Sequence, residues 1–531
     1  MNTESASVIK RRLQKTWFYF FNRFGHLSPV QEAVIPKVLE GKNLIVCSPT
    51  ASGKTEAIVA PVVERLLKDD IGGLKVLYIT PTRALANDLF IRLNEPLLNL
   101  GIKLRVKTGD KPFFNSKDPP NFIITTPESF DSLLCRYSQA FNGLKFIIID
   151  ELHLLDCNYR GDQLRVLLER LRSKITPVNY YMMSATLKEP KETARRYCDN
   201  AEIIVVEGKR EIFHEFLNIS DISKGLSKLI SILMSNREFK TLFFCNSRKE
   251  TEFIGQQINK LIKDFGYGIN VYIHHGSLSR RQRLAAEQAI REEKAVFCVA
   301  TSTLELGIDI GDIDAVVLVH PPPNVSSLLQ RIGRGNRRRN YIKAYGLYSD
   351  ESELNIFNIM FTHARKGEIE YSQYVPSLSA VVQQIFSIMY ERGKVHQSFL
   401  IHLLHILCDA EKLKKILLHL SLLGYLEFNN DYIYPSMKLL DLADKGFIHS
   451  NIPNEKDMQV IDTATDLYIG NIVIEPIKGT RFVLAGRSWE IKRCLGRKIF
   501  VKEIKEFDFV ASFGRRRSEG KFINLVPREL L

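Results

Sequence analysis

Up to about residue 370, short apolar runs alternate with segments of helical periodicity, and this alternation restricts the fold more than any other feature. The runs are rich in Val, Ile and Phe, and fully apolar strands separated by helices indicate a parallel sheet covered on both faces. In the first half of this region we predict strands at 43–47, 76–80, 122–125, 146–149 and 180–183.

The same rhythm then begins again, with strands predicted at 241–245, 271–274, 296–299 and 315–319. Two consecutive α/β domains of similar size are therefore expected, at 1–210 and 211–370. No internal repeat of short period and no low-complexity segment interrupts them.

The pattern changes after residue 370. Amphipathic helices are predicted at 378–390, 397–407 and 410–423, followed by a hairpin at 424–435 that turns at 429–431. Three helices and a hairpin favour a winged helix at 371–450. Short strands at 467–474, 481–484, 489–492 and 499–505 favour a small β-barrel or sandwich at 451–531.

Charge and cysteine content narrow the class of protein. The 74 Lys and Arg residues exceed the 60 Asp and Glu residues, which gives a formal net charge of +14. This favours a polyanionic partner, although a merely soluble basic protein would look the same. The eight cysteines form no C-x-x-C pair, so neither a zinc ribbon nor a cysteine-ligated iron–sulfur cluster is expected. A cytoplasmic protein is expected, with no signal peptide and no membrane span.

Residues 48–55 (SPTASGKT) lie between the first strand and a helix. A turn in this position directs backbone N–H groups at phosphates, including those of Thr50, Ser52 and Gly53. Lys54 is expected to hold the β- and γ-phosphates of ATP, and the Thr55 hydroxyl to complete a Mg²⁺ shell. Ser48 stands where this kind of loop usually begins with glycine.

An acidic pair, Asp150 and Glu151, follows the strand at 146–149. Asp150 at the end of that strand is suited to holding Mg²⁺, and Glu151 to orienting or deprotonating the attacking water. The alternative is two carboxylates in an ordinary loop. We favour the first interpretation because the sheet brings this strand end close to the loop at 48–55.

Two weaker signals accompany these segments. The triplet at 184–186 follows a hydrophobic strand and is suited to hydrogen-bonding the Asp-Glu segment, although a plain turn would look the same. Gln31 is suited to reading an adenine edge, although a lone glutamine is usually only a surface residue.

The second α/β domain has no phosphate-binding loop of its own and ends in residues 330–339 (QRIGRGNRRR). So many guanidiniums would be unfavourable in a core, so a solvated basic helix is one interpretation. The other is that Arg334 and Arg337 are arginine fingers for a γ-phosphate. Upstream, the hydroxyls of residues 300–309 are suited to nucleic-acid phosphates, and Asp309 to facing ATP or an arginine finger.

Together these segments resemble the motif series of superfamily 2 helicases. In chain order, those similar to motifs Q, I, Ia, Ib, II, III, IV, V and VI are Gln31, 48–55, 81–85, 126–129, 150–153, 184–186, 244–248, 300–309 and 330–337. Within the superfamily, the chain is most similar to the large helicase-related (Lhr) group. The segments that carry this are 108–110, 300–311, Gln330 at the start of motif VI, and the tail segments 377–389 and 479–492.

The resemblance implies two tandem RecA-like domains and an ATP-dependent helicase or translocase, with 3′-to-5′ movement on single-stranded DNA. Duplex DNA or an RNA:DNA hybrid would be unwound. ATP would be bound by the loop at 48–55, with Gln31, Asp309, Gln330, Arg334 and Arg337. Nucleic acid would contact Arg83, Thr108, Gly109, Thr126, Ser247, Arg248, Thr301, Ser302, Trp489, Arg515 and Arg516. For Trp489 a place in the barrel core is favoured over base stacking.

Other functions remain open. The same motifs would serve an ATP-switched remodeller that does not unwind, or a subunit of a defence or DNA-repair complex. An RNA helicase of the DEAD-box type is disfavoured because residues 150–153 are DELH and because a winged helix and a barrel are expected after the motor. A monomer that binds single-stranded or forked nucleic acid is expected, and protein partners are compatible with the sequence.

Overall fold

The computed structural model describes residues 5–22, 26–49, 52–69, 71–175, 178–185, 187, 189–206, 210–305, 310–336, 341–368, 374–453, 458–473, 478–504 and 519–531. The chain divides into two compact units. The first contains Met1–Glu207, Ser372–Asn454 and Arg517–Leu531, and the second contains Gly208–Tyr371 and Glu455–Arg516.

The first unit contains a parallel sheet of seven described strands in the order β3-β4-β2-β5-β6-β1-β7. The strands are β1 (Leu44–Cys47), β2 (Val76–Ile79), β3 (Leu104–Lys107), β4 (Phe122–Thr125), β5 (Phe146–Ile149), β6 (Asn179–Ser184) and β7 (Glu202–Val205). The helices are α1 (Ala6–Arg12), α2 (Trp17–Phe20), α3 (Pro29–Leu39), α4 (Lys54–Leu66), α5 (Arg83–Asn99), α6 (Pro127–Arg136), α7 (Tyr159–Arg172) and α8 (Pro190–Tyr197).

Both faces of this sheet are buried, which explains why its central strands are apolar throughout. In β5, Ile148 packs into one hydrophobic cluster and its neighbour Ile147 packs into another. The five predicted strands are confirmed, and their ends differ from the predicted ones by no more than one residue. Two strands were not predicted, β3 and β7, and both lie at the edges of the sheet. Their exposed or charged positions, such as Arg105 and Glu202, weaken the apolar signal.

The second unit contains a parallel sheet of six described strands in the order β10-β11-β9-β12-β13-β8. The strands are β8 (Glu211–Asn218), β9 (Lys240–Phe244), β10 (Asn270–His274), β11 (Val296–Ala300), β12 (Ala315–Val319) and β13 (Tyr341–Tyr348). The helices are α9 (Ile222–Ser235), α10 (Arg248–Asp264), α11 (Arg280–Glu292), α12 (Val325–Ile332) and α13 (Glu351–Lys366). The four strands predicted here are confirmed, whereas β8 and β13 were not predicted.

A helical segment follows and belongs to the first unit. Its elements are α14 (Leu378–Arg392), β14 (Val395–His396), α15 (Gln397–Leu404), α16 (Ala410–Leu422), β15 (Leu426–Asn429), β16 (Tyr432–Pro435) and α17 (Met437–Asp444). The three predicted helices and the hairpin are confirmed, and β14 adds a third antiparallel strand to the hairpin. Helix α14 packs on α6 and α7 of the α/β domain.

The remaining strands belong to the second unit. They are β17 (Met458–Asp462), β18 (Tyr468–Ile472), β19 (Arg481–Leu484), β20 (Arg487–Leu495) and β21 (Lys498–Glu503), in the order β18-β17-β21-β20-β19. Neighbours are antiparallel except for β17 and β21. The two expected RecA-like sheets and the β-rich tail are therefore present. The last described residues, 519–531, instead group with the first unit, and Phe522 packs into the core beneath α14.

None of the helices within the described ranges is long and apolar enough to cross a membrane.

Candidate functional site

The loop that carries motif I lies between β1 and α4, and it is closed around Lys54. The Lys54 Nζ donates hydrogen bonds to the carbonyl oxygens of Ser48 and Pro49, at 2.6 and 2.7 Å. The hydroxyls of Ser48 and Ser52 lie 2.7 Å apart. Ser48, at the usual place of a glycine, therefore holds the loop together through its side chain.

Gly53 must be glycine at the end of this loop. Its φ of +90° lies in the left-handed region, which strains other L-residues. A Cβ atom at this position would also lie 2.4 Å from Nε2 of Gln31. The backbone of the loop and the side chain of Gln31 are therefore in direct contact.

Gln31 lies at the start of α3 and forms a capping box with Ser28. Its Oε1 accepts from the backbone N–H of Ser28 at 2.9 Å, and its Nε2 donates to the Gly53 carbonyl at 3.4 Å. The Ser28 hydroxyl donates to the Ser52 carbonyl at 2.8 Å. The amide thus joins the helix start to the phosphate loop, while adenine recognition stays a prediction. The Ser-x-x-Gln pattern at 28–31 was a signal for this cap.

Asp150 follows β5, two strands from β1 in the sheet, and its carboxylate is buried. One oxygen accepts from the Tyr78 hydroxyl at 2.8 Å, and the other accepts from the backbone N–H of Glu151 at 2.9 Å. Burial, and then the charge of Glu151, raise the pKa of Asp150 to about 6, while the charge of Lys54 opposes this rise. Motif I and motif II therefore act on each other electrostatically.

Glu151 has a left-handed backbone, with φ of 45°, and a buried side chain. Its Oε2 has no hydrogen-bond partner among the described residues, and Nδ1 of His153 lies 3.6 Å away. Buried polar atoms are normally partnered, so this oxygen is suited to a water or a cation. With Asp150 and the Thr55 hydroxyl, it forms a set of oxygen donors of the kind that Mg²⁺ prefers.

Tyr78 is a functional candidate that the sequence analysis missed. It lies inside β2, is fully buried, and has a pKa raised well above its ordinary value by burial and by the charge of Asp150. The Thr55 side chain partly opposes this rise in the pKa of Tyr78, so it lies near the same phenol. Tyr78 therefore lies near both predicted Mg²⁺ ligands. No signal marked it, because a tyrosine in an apolar strand looks like an ordinary core residue.

Ser184 ends β6, which lies between β1 and β5. Its hydroxyl is 3.0 Å from Nδ1 of His153, and its carbonyl accepts from the backbone N–H of Ser48 at 3.1 Å. The contact expected between motif III and motif II is thus made through His153. Thr186 lies outside the described residues.

Arg83 begins α5 at the same edge of the sheet, after β2. Its side chain is 58% exposed, and its Nη1 lies 2.5 Å from a carboxylate oxygen of Asp110. A Cβ atom at Gly109 would lie 2.6 Å from Nη2 of Arg83, so the glycine allows this close approach. Motif Ia and the segment 108–110, which the sequence assigned to nucleic acid, therefore lie together. The charge of Arg83 is compensated by Asp110.

Thr108 and Thr126 follow β3 and β4 at this edge. Thr108 is buried, and its hydroxyl has no partner within the described part of the chain. Thr126 precedes α6 and is buried, and its side chain helps to lower the pKa of Glu128. The four residues assigned to nucleic acid in this domain thus lie along the carboxyl ends of adjacent parallel strands.

In the second unit, Arg334 is fully buried, and its Nη2 donates to the Glu305 carbonyl at 2.6 Å. Arg331 is also buried, with its Nε 2.5 Å from a carboxylate oxygen of Glu305. The expectation that these guanidiniums avoid the core is wrong, because the carboxylate and the backbone carbonyl of Glu305 accept their hydrogen bonds. Gln330 is buried and donates to the Ser326 hydroxyl at 3.4 Å. A γ-phosphate contact by Arg334 stays a prediction.

Asn336 lies in the segment similar to motif VI, at a place where that motif commonly has glycine, and its side chain has a structural role. Its φ is 49°, a left-handed conformation that asparagine tolerates better than most residues. Its side chain donates to the Asp314 carbonyl and accepts from the Lys343 N–H, both at 2.8 Å. Asparagine therefore adds two hydrogen bonds that glycine would lack.

Ser247 and Arg248 begin α10 at the carboxyl edge of the second sheet. The Ser247 hydroxyl accepts from the Glu250 N–H at 3.1 Å, and Nη1 of Arg248 donates to the Ser277 hydroxyl at 2.7 Å. Thr301 and the exposed Ser302 follow β11 at the same edge. Their assignment to nucleic acid stays a prediction.

Trp489 requires a correction. Its indole is buried in the core of the second unit, and its Nε1 donates to the Leu484 carbonyl at 2.9 Å. A base has no exposed indole face to stack on, so the core role is confirmed and the nucleic-acid contact is wrong. Five other predicted site residues lie outside the described ranges: Thr50, Asp309, Arg337, Arg515 and Arg516.

Two family models match parts of this chain. Residues 28–194 match the model of the DEAD/DEAH box helicase family, and residues 224–339 match that of the helicase conserved C-terminal domain. These segments contain most of both parallel sheets and the segments similar to the helicase motifs. The chain is a member of the superfamily 2 helicases.

Its relatives narrow the group. The chain is 31% identical to the ATP-dependent helicase Lhr-Core of Methanocaldococcus jannaschii, over 94% of this chain and 64% of that protein. It matches the structure of the Mycobacterium smegmatis helicase Lhr bound to ssDNA and AMP-PNP, with a TM-score of 0.70 and 25% identity over 83% of this chain and 62% of that one. The chain is thus an Lhr-like member of the superfamily.

The fold is shared more widely. The DUF1998 helicase MrfA bound to DNA matches 95% of this chain and 74% of its own, with a TM-score of 0.76 and 22% identity. The chain spans about three fifths of the length of the curated Lhr-Core relatives it matches.

Proposed function

We propose that this protein is an ATP-dependent helicase that moves on a single strand of nucleic acid. The observation that carries the proposal is the buried group at the carboxyl edge of the first sheet. There Lys54 lies inside the phosphate loop, and its charge acts on the carboxylate pair of motif II. Such a pair of sites is what ATP hydrolysis by this kind of fold requires.

In this proposal the N–H groups of the loop hold the phosphates and Lys54 leaves its two carbonyl partners for them. Asp150 and the Thr55 hydroxyl hold Mg²⁺, which when bound neutralises phosphate charge. Glu151 orients the attacking water through the oxygen that lacks a partner. Tyr78 fixes the carboxylate of Asp150. Gln31 keeps the loop in register with α3 and is within reach of a base.

The roles of Arg334 and Arg337 as arginine fingers rest on the motif alone. The same holds for Asp309 and Gln330 as further contacts with the nucleotide.

Single-stranded DNA is the partner we favour. The Lhr helicase of Mycobacterium smegmatis was solved with ssDNA, and the net charge of +14 suits a polyanion. In the first domain, Arg83, Thr108 and Thr126 follow neighbouring strands and offer a track for phosphates. Because phosphate contacts carry little sequence information, binding should tolerate many sequences and weaken with salt. We further propose 3′-to-5′ movement and a winged helix at 371–450 that guides the strand or braces the motor.

Forked duplexes with a 3′ or a 5′ tail test this proposal, with DNA, RNA and hybrid versions. We expect ATP-dependent strand separation on the 3′-tailed DNA or hybrid fork, and none with Lys54→Ala. ATP hydrolysis without separation of any fork would favour a remodeller, and separation of RNA forks alone would favour an RNA helicase.

A further inference from the structure

Strands β20 and β21 form a hairpin whose tip is a tight turn. Leu495 and Lys498 are paired across the two strands, so only Gly496 and Arg497 form the turn. Gly496 has φ of 56°, the left-handed conformation that short hairpin turns require. The side chains at this tip are therefore held on a rigid support.

The register of the hairpin places four side chains on one face. Arg493 pairs with Phe500, and Leu495 pairs with Lys498, two residues further along each strand. Successive residues of a strand point to opposite faces, so these four share a face, which we call the β20–β21 face. Ile499, on the other side, is fully buried, so the β20–β21 face is the outer one.

The β20–β21 face is positively charged, and none of the four residues that define it is acidic. Three other cations of the same sheet are paired, Arg481 and Lys492 with Glu490, and Arg487 with Glu503, whereas the exposed Lys502 of β21 has no ion pair among the described residues. Among the residues that the structure describes, Arg493, Lys498 and Arg497 at the tip make no ion pair, although all three are exposed. Neighbouring like charges on a hairpin are unfavourable, so they suit a surface that meets a polyanion.

Two apolar groups lie among these cations. The guanidinium of Arg493 lies over the Phe500 ring, 4.1 Å from its centre, and the Leu495 side chain is 59% exposed. A guanidinium on an aromatic ring is oriented while its N–H groups stay available to phosphate oxygens. Cations beside exposed apolar side chains are the combination that binds single strands.

The sheet is fixed to the edge of the second α/β domain that carries motif IV. The Ser279 N–H donates to the Ile469 carbonyl, and the Asn471 N–H donates to the Ser277 carbonyl, both at 2.7 Å. The Ser277 hydroxyl also accepts a hydrogen bond from Arg248 of motif IV. On a neighbouring turn, both carboxylate oxygens of the buried Glu252 accept backbone N–H groups, from Ala485 and Gly486, at 2.7 and 2.8 Å.

We propose that the β20–β21 face and Arg497 bind the sugar–phosphate backbone of a nucleic-acid strand. This deepens the proposed function by adding a contact outside the helicase motifs. Charge distribution favours this face over the hairpin of β15 and β16. Residues 458–504 carry eight Lys and Arg against five Asp and Glu, whereas residues 378–444 carry six against seven. Arg493, Arg497 and Lys498 contact phosphates, and Leu495 and Phe500 pack against sugars or bases.

Salt-dependent binding of fluorescein-labelled oligo(dT) to the full chain tests the proposal. Each phosphate contact on a single strand contributes about 0.7 to the slope of log K against log salt. The triple variant Arg493→Gln, Arg497→Gln, Lys498→Gln should therefore lose about 2 from that slope. The matched control is Arg481→Gln, Arg487→Gln, Lys492→Gln, which removes three paired cations from the same sheet and should keep the slope.

Equal slopes for wild type and the triple variant would overturn the proposal, and so would an equal loss in both triple variants, which would reflect net charge alone. If the triple variant fails to fold, Arg497→Gln in the turn decides, with an expected loss of about 0.7. Binding slopes are independent of hydrolysis. A wild-type protein that binds oligo(dT) but hydrolyses no ATP would refute the proposed function and leave this inference intact.

Discussion

Tyr78 connects two groups that the motif series treats separately. Its hydroxyl donates to Asp150 at 2.8 Å, and the Thr55 side chain acts on the same phenol, so Tyr78 holds Asp150 in place close to Thr55 before nucleotide arrives. Preorganised ligands reduce the cost of binding. Removal of this one hydroxyl should therefore affect the metal more than the fold.

We expect Tyr78→Phe to raise the Mg²⁺ concentration for half-maximal ATP-analogue binding roughly tenfold, since a hydrogen bond to a charged group contributes about 1.5–3 kcal/mol. Fluorescent-nucleotide binding, titrated with Mg²⁺, measures this. Tyr181→Phe is the matched control, because that phenol is equally buried in the same sheet and instead accepts from Arg65 at 2.7 Å. The same Mg²⁺ dependence in both variants would refute the role of Tyr78.

Gly53 offers a second comparison. Alanine there would strain a φ of +90° and place Cβ 2.4 Å from Gln31, whereas alanine at Gly73 would strain a φ of +73° with nothing within 4 Å. Both variants should lose stability through the backbone, by about 1–2 kcal/mol. Only Gly53→Ala should also lose nucleotide binding, as measured by fluorescent ATP-analogue titration. Normal binding by Gly53→Ala would show that the contact with Gln31 is dispensable.

Among single residues, the sequence predicted the positions of those that lie at the ends of strands. Lys54, Asp150 and Glu151 follow apolar strands, so their meeting at one sheet edge followed from the topology. Trp489 and Arg334 show the limit. Burial of an indole or a guanidinium depends on partners distant in sequence, such as Glu305 for Arg334, and local pattern does not encode them.

At the scale of elements, a buried polar cluster joins the helical segment to the first α/β domain. Asp131 of α6 accepts from the Ser387 hydroxyl of α14 at 2.6 Å and lies 2.7 Å from Nδ1 of His449. Arg170 of α7 bridges Asp131 to Glu391 of α14, at 3.3 and 2.6 Å. Arg170 thus compensates the charges of both buried carboxylates.

Because of this cluster, we expect the protein to lose stability at acidic pH. Burial raises the pKa of Asp131, but hydrogen bonds and charges from His449 and Arg170 outweigh it and hold that pKa below its ordinary value. A lowered pKa means that the contribution of Asp131 is present above its unfolded pKa of about 3.9 and is lost as pH falls further. Asp131→Asn should cost about 3 kcal/mol near neutral pH, because it breaks a buried ion pair.

Chemical denaturation at several pH values measures both effects. The difference between wild type and Asp131→Asn should shrink as the pH falls below about 4. Asp409→Asn is the control, because that exposed aspartate caps α16 and pairs with Lys412 at 3.2 Å only at the surface, where ion pairs contribute little, and asparagine caps equally well. A pH-independent difference for Asp131→Asn would contradict the assigned charge state.

At the scale of the molecule, chain order and spatial grouping differ. The sequence predicted four consecutive domains, whereas contacts group Ser372–Asn454 and Arg517–Leu531 with the first α/β domain, and Glu455–Arg516 with the second. Periodicity locates elements along the chain, but it does not say which distant element they pack against. Polar residues contribute to this grouping: Gln163 and Gln383 both donate to the His449 carbonyl. In the sequence such residues look like surface residues.

The central claim is that Lys54 and the carboxylates of motif II hydrolyse ATP under the control of nucleic acid. ATP hydrolysis with and without single-stranded DNA, in wild type, Lys54→Ala and Glu151→Ala, tests it most directly. We predict hydrolysis stimulated by DNA in wild type and reduced by roughly 100-fold or more in both variants, with DNA binding retained. Undiminished hydrolysis in both variants would contradict the account.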